Sequence, residues 1–398
     1  MVKIIIKYII YILNIPCYCI SVLTPNKKNL WIFGAWFGQR YSDNSKYLFE
    51  YINNNNPKIR AIWLARNKDV VKIIRAQGYE SYLAYSPKGY LLSMRAEFAI
   101  VSHSKSADLN KLAISSQTKI IQLYHGIPLK KIEYDDKIFA YRKEENFFVH
   151  ILKILRNYIF PFLIEHYDMM IATSLETKRI FSHAFRLNQD KINITGYPRN
   201  DILLKKNTLD HDKKRKEKKS GIYMPTFRGD VGDSPNYYLK YGFNIKTINE
   251  FLKERNICLH FKLHPVNNHC IEFSREFDYV KLLKIDDIYS ILQNIDFLVT
   301  DYSSIYFDFL LLDKPIIFAP FDKEDYIKND RELYYNYEDV TPGPKAKNWS
   351  ELLGCIEEAV NYPEKYSHQR QEIRNQFHKY IDGNSSKRVY EAIHNMIN

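Results

Sequence analysis

Cysteine is scarce and poorly placed for chemistry. The 398 residues hold five, Cys17, Cys19, Cys258, Cys270 and Cys355, with no Cys-x-x-Cys pair among them. An odd number scattered over this length excludes a disulfide framework, and Cys17-x-Cys19 sits in an apolar run without metal-ligand partners at useful spacing. A reducing, cytosolic setting fits this usage. Also absent are a cluster of metal-ligand residue types, an Asp-x-Asp pair in a nucleotide-binding position, and any internal repeat beyond the alternation described below. No convincing small-residue cleavage site follows the apolar N-terminal stretch, which argues against a secretory signal peptide. Acidic residues fall short of basic ones, 46 against 58, for a net charge of +12. That balance favours anionic partners: nucleic acid, an anionic membrane face or a phosphate-rich substrate. Nucleic acid is the weakest of the three, because the basic residues concentrate in one linker without interleaved aromatics.

Apolar material is ample. Hydrophobic residues make up 45% and aromatics 15%, which excludes a disordered chain, and the length implies two domains. Ile4 to Leu23 is the most hydrophobic stretch, interrupted by Lys7, Asn14 and Pro16. A membrane span needs about 20 apolar residues, and this stretch barely reaches that. An in-plane membrane anchor over residues 1–28, flanked by Lys27 and Lys28 on an anionic surface, is the expectation. A buried N-terminal helix is the plain alternative.

From Asn29 the pattern turns α/β. Leu30–Phe33, Ile59–Leu64, Phe98–Val101, Lys119–Tyr124 and Asp168–Ala172 read as strands separated by helical segments, Asp43–Tyr51 and Asp69–Gln77 among them. Strand alternating with helix predicts a parallel, doubly wound sheet with ligands beyond the strand carboxyl ends, where His103 and His125 fall. The run Lys213-Lys214-Arg215-Lys216-Glu217-Lys218-Lys219 lies in a basic linker, residues 205–220. The rhythm then restarts with Gly221–Pro225, Cys258–Leu263, Ile295–Val299 and Pro315–Ala319, and the terminal Trp349–Ile397 reads as helices packing on this second half. Two doubly wound halves, 29–204 and 221–398, describe a GT-B architecture with an active-site cleft between Rossmann-like domains.

Polar residues gather at four strand ends: His125-Gly126, Thr226-Phe227-Arg228, Lys262-Leu263-His264-Pro265 and Asp301-Tyr302-Ser303-Ser304. Arg228 forks onto phosphate oxygens, Lys262 offers a point charge, and Ser303 and Ser304 open a helix whose N-terminal dipole attracts anions. The set suits a diphosphate, with protein cations in place of a metal. An ordinary N-cap accounts for the Ser pair equally well on its own. His125 has the ordinary titration range of a base that takes a proton from an attacking hydroxyl; a structural histidine in a turn is the alternative. Asp301 orients a histidine or a backbone turn, and Asp308, on the following helix, is placed to reach a nucleotide sugar or the substrate.

In this order the chain also carries His125-Gly126-Ile127-Pro128-Leu129-Lys130-Lys131, Gly196-Tyr197-Pro198-Arg199-Asn200-Asp201, Met224–Arg228, Lys262–Pro265, Thr300–Ser304 and Pro342-Gly343-Pro344, preceded by Tyr41-Ser42-Asp43-Asn44-Ser45-Lys46-Tyr47. From about Asn29 onward it resembles the CDP-glycerol glycerophosphotransferase family, which includes teichoic acid primases and polymerases and related capsule polymerases. The resemblance implies a GT-B fold, a peripheral location on the cytosolic side of the membrane, no obligatory metal or cofactor, and a CDP-glycerol or CDP-ribitol donor. The implied acceptor is a lipid-linked or oligomeric polymer. It puts His125 in the place of the base, and His264, Arg228, Ser303 and Ser304 at the diphosphate; Gly126, Thr226, Lys262, Asp301 and Asp308 complete the expected site. Ile127 departs from the family, which commonly has Thr there. Two other readings remain open: a GT-B sugar transferase using a nucleotide sugar, and a non-catalytic membrane-bound module that holds a polyanion.

Overall fold

The computed structural model describes residues 2–137, 147–205, 218–226, 240–263, 277–329 and 332–397. Two compact units emerge. The first comprises Met1–His125, Glu133–Asp201 and Asp382–Asn398; the second comprises Gly126–Ile132 and Ile202–Ile381.

Seven strands build the sheet of the first unit: β1 (Lys27–Phe33), β2 (Arg60–Ala65), β3 (Ser81–Leu83), β4 (Ala96–Val101), β5 (Lys119–Gln122), β6 (Met169–Ala172) and β7 (Ile192–Ile194). They pair in the order β3-β2-β1-β4-β5-β6-β7, every neighbour parallel. Continuous apolar strands such as Ala61–Ala65 are buried because helices cover both faces of a parallel sheet. The helices start where short polar side chains can satisfy free backbone N–H groups. Asn67 accepts from Asp69 N, Ser86 from Gly89 N behind Pro87, and Ser174 from Thr177 N.

The second unit repeats the plan with β8 (Lys219–Met224), β9 (Ile257–Phe261), β10 (Val280–Leu282), β11 (Phe297–Thr300) and β12 (Ile316–Phe318), ordered β10-β9-β8-β11-β12 and again parallel. Its core joins Tyr223, Leu259, Phe261 and Val299 to Trp349 of the helix Trp349–Asn361. Gly343 of the Pro-Gly-Pro segment allows a close approach to this sheet: a Cβ there would lie 1.9 Å from Ile316 O. Phe318 then exchanges hydrogen bonds with Pro344 O and Ala346 N, both 2.9 Å. These are the two doubly wound, Rossmann-like α/β units of the GT-B class. In each, the order reverses beside the first strand, between β1 and β4 and between β8 and β11, which is where such sheets open a crevice for ligands.

Two sequence expectations shift. The last helix, Ser385–His394, belongs to the first unit and not to the C-terminal half: Asp201 accepts from Ser385 N and Ser386 N, each at 2.8 Å, and Tyr390 packs on Trp31. Strand β8 starts at Lys219, inside the stretch read as linker; linker residues 206–217 lie outside the described residues. The N-terminal stretch forms one helix, Val2–Leu23, with Pro16 inside it. Among the described residues, no helix is long and apolar enough to cross a membrane.

Candidate active site

Strand β5 delivers His125 to the carboxyl edge of the first sheet, two residues past the strand's last hydrogen-bonded neighbours. Tyr124 turns the chain there with φ +54°, a left-handed conformation that costs a bulky residue energy, and Gln122 Oε1 accepts from Tyr124 N at 2.9 Å to hold it. The half-buried His125 ring sets Nδ1 3.3 Å from Ser102 O. That contact assigns the proton to Nδ1 and leaves Nε2 as the acceptor. Burial comes first, with the neighbouring His103 and Arg199 adding to it, and Asp43 and the Ser102 carbonyl opposing; the net effect pushes the His125 pKa down to about 4. At neutral pH the ring is therefore a neutral imidazole.

Behind His125 lies a buried charge pair. Arg199 donates through Nη1 to Asp43 Oδ1 at 2.7 Å and to His125 O at 2.9 Å. Burial alone would raise the Asp43 pKa, but Arg199, with smaller help from His125, His103 and the Asn44 N–H, holds it below the usual carboxylate value. Asp43 sits at φ +68° and also accepts from Trp36 Nε1 at 3.1 Å. Asn44 links the same parts: its Nδ2 donates to Tyr124 O at 2.9 Å, and its Oδ1 accepts from Arg199 N at 3.2 Å. Asp43, Asn44 and Arg199 were not singled out as site residues from sequence. Their signal is the pair of polar clusters, Tyr41–Tyr47 and Gly196–Asp201, the first opening the helix Asp43–Asn55 and the second the turn Pro198–Asn200 after β7.

The second unit gathers its own set. Asp301, buried after β11, accepts through Oδ1 from Thr226 N at 2.8 Å and Tyr302 N at 2.6 Å, so it ties the end of β8 to the end of β11. This is the turn-orienting role open to it from sequence. Tyr337 OH donates to Asp301 O at 3.0 Å, and Tyr302 stacks on Tyr326 at 4.0 Å. Lys262, half-buried, leaves β9 with its N–H bonded to Tyr223 O at 2.9 Å. Thr226, Lys262, Ser303 and Ser304 thus share one edge of the sheet at its switch point. Ser303 and Ser304 are both partly open to solvent, and Ser304 has helical dihedrals without using its side chain as a cap. The helix it opens is short, Ile305–Phe309, followed by a 3-10 turn to Leu312 and stopped by Asp313 at φ +49°.

Asp308 behaves differently from the expectation of a ligand contact. It is fully buried, and its Oδ2 accepts from Tyr289 OH at 2.6 Å, because the helix turns it towards the core. Gly126 opens the segment Gly126–Ile132, which belongs to the second unit through Tyr334 N to Leu129 O at 2.9 Å and the Lys131–Glu332 ion pair at 2.6 Å. Ile127, the departure from the family, is fully buried in that segment. Arg228 and His264 lie outside the described residues. Among the described residues, no three His, Cys, Asp or Glu side chains group as metal ligands.

A family model for CDP-glycerol:poly(glycerophosphate) glycerophosphotransferase matches residues 17–395. The teichoic acid glycerol-phosphate transferase of Staphylococcus aureus is 30% identical over 386 residues, covering 93% of each chain. The teichoic acid poly(glycerol phosphate) polymerase of Bacillus spizizenii is 30% identical over 416 aligned residues, covering 98% of this chain and 99% of that one. A solved structure of the wall teichoic acid polymerase TagF shares the fold, with TM-score 0.78 at 23% identity over 100% of this chain and 98% of that one. The chain therefore belongs to the CDP-glycerol:poly(glycerophosphate) glycerophosphotransferase family.

Proposed function

We propose that the protein transfers a polyol phosphate, glycerol phosphate in the first instance, from a CDP-activated donor to an acceptor hydroxyl, as an enzyme of teichoic acid or capsule-type cell-surface polymer synthesis. The acceptor oxygen attacks the polyol-bearing β-phosphorus, the bond from that phosphorus to the bridging oxygen breaks, and CMP leaves. The hydroxyl proton passes to Nε2 of His125. Ser303, Ser304, Thr226 and Lys262 hold the diphosphate by hydrogen bonds and charge, which is the positioning-and-electrostatics logic of phosphoryl transfer. Arg228 and His264 are assigned to the same phosphates. Asp301 shapes the donor turn. The observation that carries the reading is the His125 ring, neutral and with its Nδ1 proton on Ser102 O, which leaves Nε2 as the acceptor at the sheet edge.

The reading includes a peripheral location on the cytoplasmic face of the cell membrane. Two helices support it. Val2–Leu23 buries Tyr11 against Phe160 and Phe162 while Ile6, Ile9, Ile12 and Leu13 stay exposed, and Phe147–Ile159 exposes Leu152, Ile154, Leu155 and Tyr158. These exposed apolar faces, with exposed Lys27 and Lys28 following the first helix in the chain, suit an in-plane contact with anionic lipid, near a lipid-linked acceptor.

The test is CMP release by the purified protein, offered CDP-glycerol and CDP-ribitol separately with a lipid-linked or oligomeric acceptor. CMP from one donor establishes the reaction class and the polyol together. A nucleoside diphosphate released from nucleotide sugars, with no CMP from either donor, overturns the reading and makes the protein a sugar transferase.

A further inference from the structure

The imidazole of His125 does not stand alone at the edge of the first sheet. His103, just past β4, lies flat against it, with ring centroids 4.4 Å apart and planes 8° from parallel. Trp36 and Phe37 close on the His103 ring as well, at 4.9 and 5.1 Å. The Nδ1 of His103 lies 3.5 Å from Asp108 Oδ1. Asp108 is fully buried and accepts from the N–H groups of Ser102, His103 and Phe37 at 2.9, 2.7 and 3.0 Å. Through these three N–H groups one carboxylate fixes the backbone that carries the ring stacked on His125 and the loop packed on that ring. The loop bears left-handed strain, Trp36 at φ +47° and Phe37 at φ +58°, which persists only where the surroundings hold it. Gly34 permits it, since a Cβ there would lie 2.7 Å from Asp108 O.

We propose that His103, whose backbone is held by Asp108, is a positioning residue for His125: it stacks on the His125 ring and keeps its Nδ1 turned towards Ser102 O. The proposal rests on reading His125 as the base. Two imidazoles in contact titrate as one system, because charge on either opposes charge on the other. The other groups facing His125 are Asp43, which attracts a proton, and Arg199, which repels one; Tyr124 is its ring neighbour on its own segment. Around His103 stand Asp108, the Tyr167 hydroxyl on its carbonyl, and Arg40 above the Trp36 ring.

His103→Phe keeps a flat ring in the stack without a titratable nitrogen; His103→Asn is the second variant. In the full chain labelled at histidine Cε1, the NMR titration midpoint of His125 rises by about one unit in either variant. The acid limb of kcat/KM moves the same way, while KM for CDP-glycerol holds. A purely space-filling ring leaves that midpoint in place, so an unmoved midpoint in both variants overturns the proposal. If the midpoint moves but His125→Ala turns over normally, the coupling stands and the reading of His125 as base falls.

Discussion

Arg199→Met is the most direct perturbation of the buried scaffold under His125. Arg199 is 3% exposed and Asp43 5%, so the substitution leaves a carboxylate in a dry site and removes a donor from His125 O. Breaking a buried pair by removing one partner costs about 3–5 kcal/mol. Spread over a unit of this size, that lowers Tm by roughly 10 °C. Asp43→Asn in the same background relieves the stranded charge, and Asn tolerates the left-handed φ at that position. The double variant therefore recovers part of the loss, with a coupling of about 1–3 kcal/mol in a double-mutant cycle read by urea unfolding. The pH dependence has a sign as well. The folded Asp43 carboxyl titrates below its unfolded value, so its contribution is fully present above about pH 4 and is lost as pH falls through the folded value. In Arg199→Met, burial alone raises that pKa, so the gap between variant and parent narrows in acid. A loss within about 0.5 kcal/mol, as for a surface site, or strictly additive single losses, refutes the account of the pair.

Three further outcomes follow from the site. His125→Ala lowers turnover by about 100-fold or more with donor affinity nearly unchanged; near-normal turnover removes the base assignment. Because the folded His125 titrates near 4, below its usual 6.5, kcat/KM falls only as pH drops towards 4; the folding contribution of the neutral ring is complete above 6.5 and lost on the way down. A limb at 6.5 in the free enzyme contradicts the burial argument. Ser303→Ala and Ser304→Ala each weaken CDP-glycerol binding by about 1 kcal/mol, roughly fivefold, through one lost hydrogen bond to phosphate. Calorimetry that finds unchanged affinity in both variants takes the Ser pair out of the donor site.

Much of the fold is readable in the chain because both sheets are parallel. Their strands are short apolar runs, and polar residues are tolerated only where the strand stops; that local contrast marks His125, Thr226, Lys262, Asp301 and the Ser pair without any knowledge of distance. Position around the following helix also separates Ser303 from Asp308. The former is at the helix mouth, but five residues later the helical turn faces the core, and the carboxylate of Asp308 ends against Tyr289 OH at 2.6 Å. Sequence alone registers the polarity of both and not the angle around the helix. The Arg199–Asp43 pair was hidden for another reason. Its members are 156 residues apart, and nothing local to either predicts the partner. The same holds for the last helix, whose amphipathic pattern specifies a buried face but not the surface that buries it. Asp201 decides the matter by accepting from Ser385 N and Ser386 N, so the C terminus returns to the first sheet. Asp201, Arg199 and Gly196 occupy one short turn, and Gly196 at φ +80° passes 2.4 Å from Ser385 Oγ where a Cβ would stand. One turn therefore anchors both the returning helix and the charge pair under His125. A substitution that displaces the terminal helix therefore reaches the Arg199–Asp43 pair through packing alone, although that helix lies at no strand end.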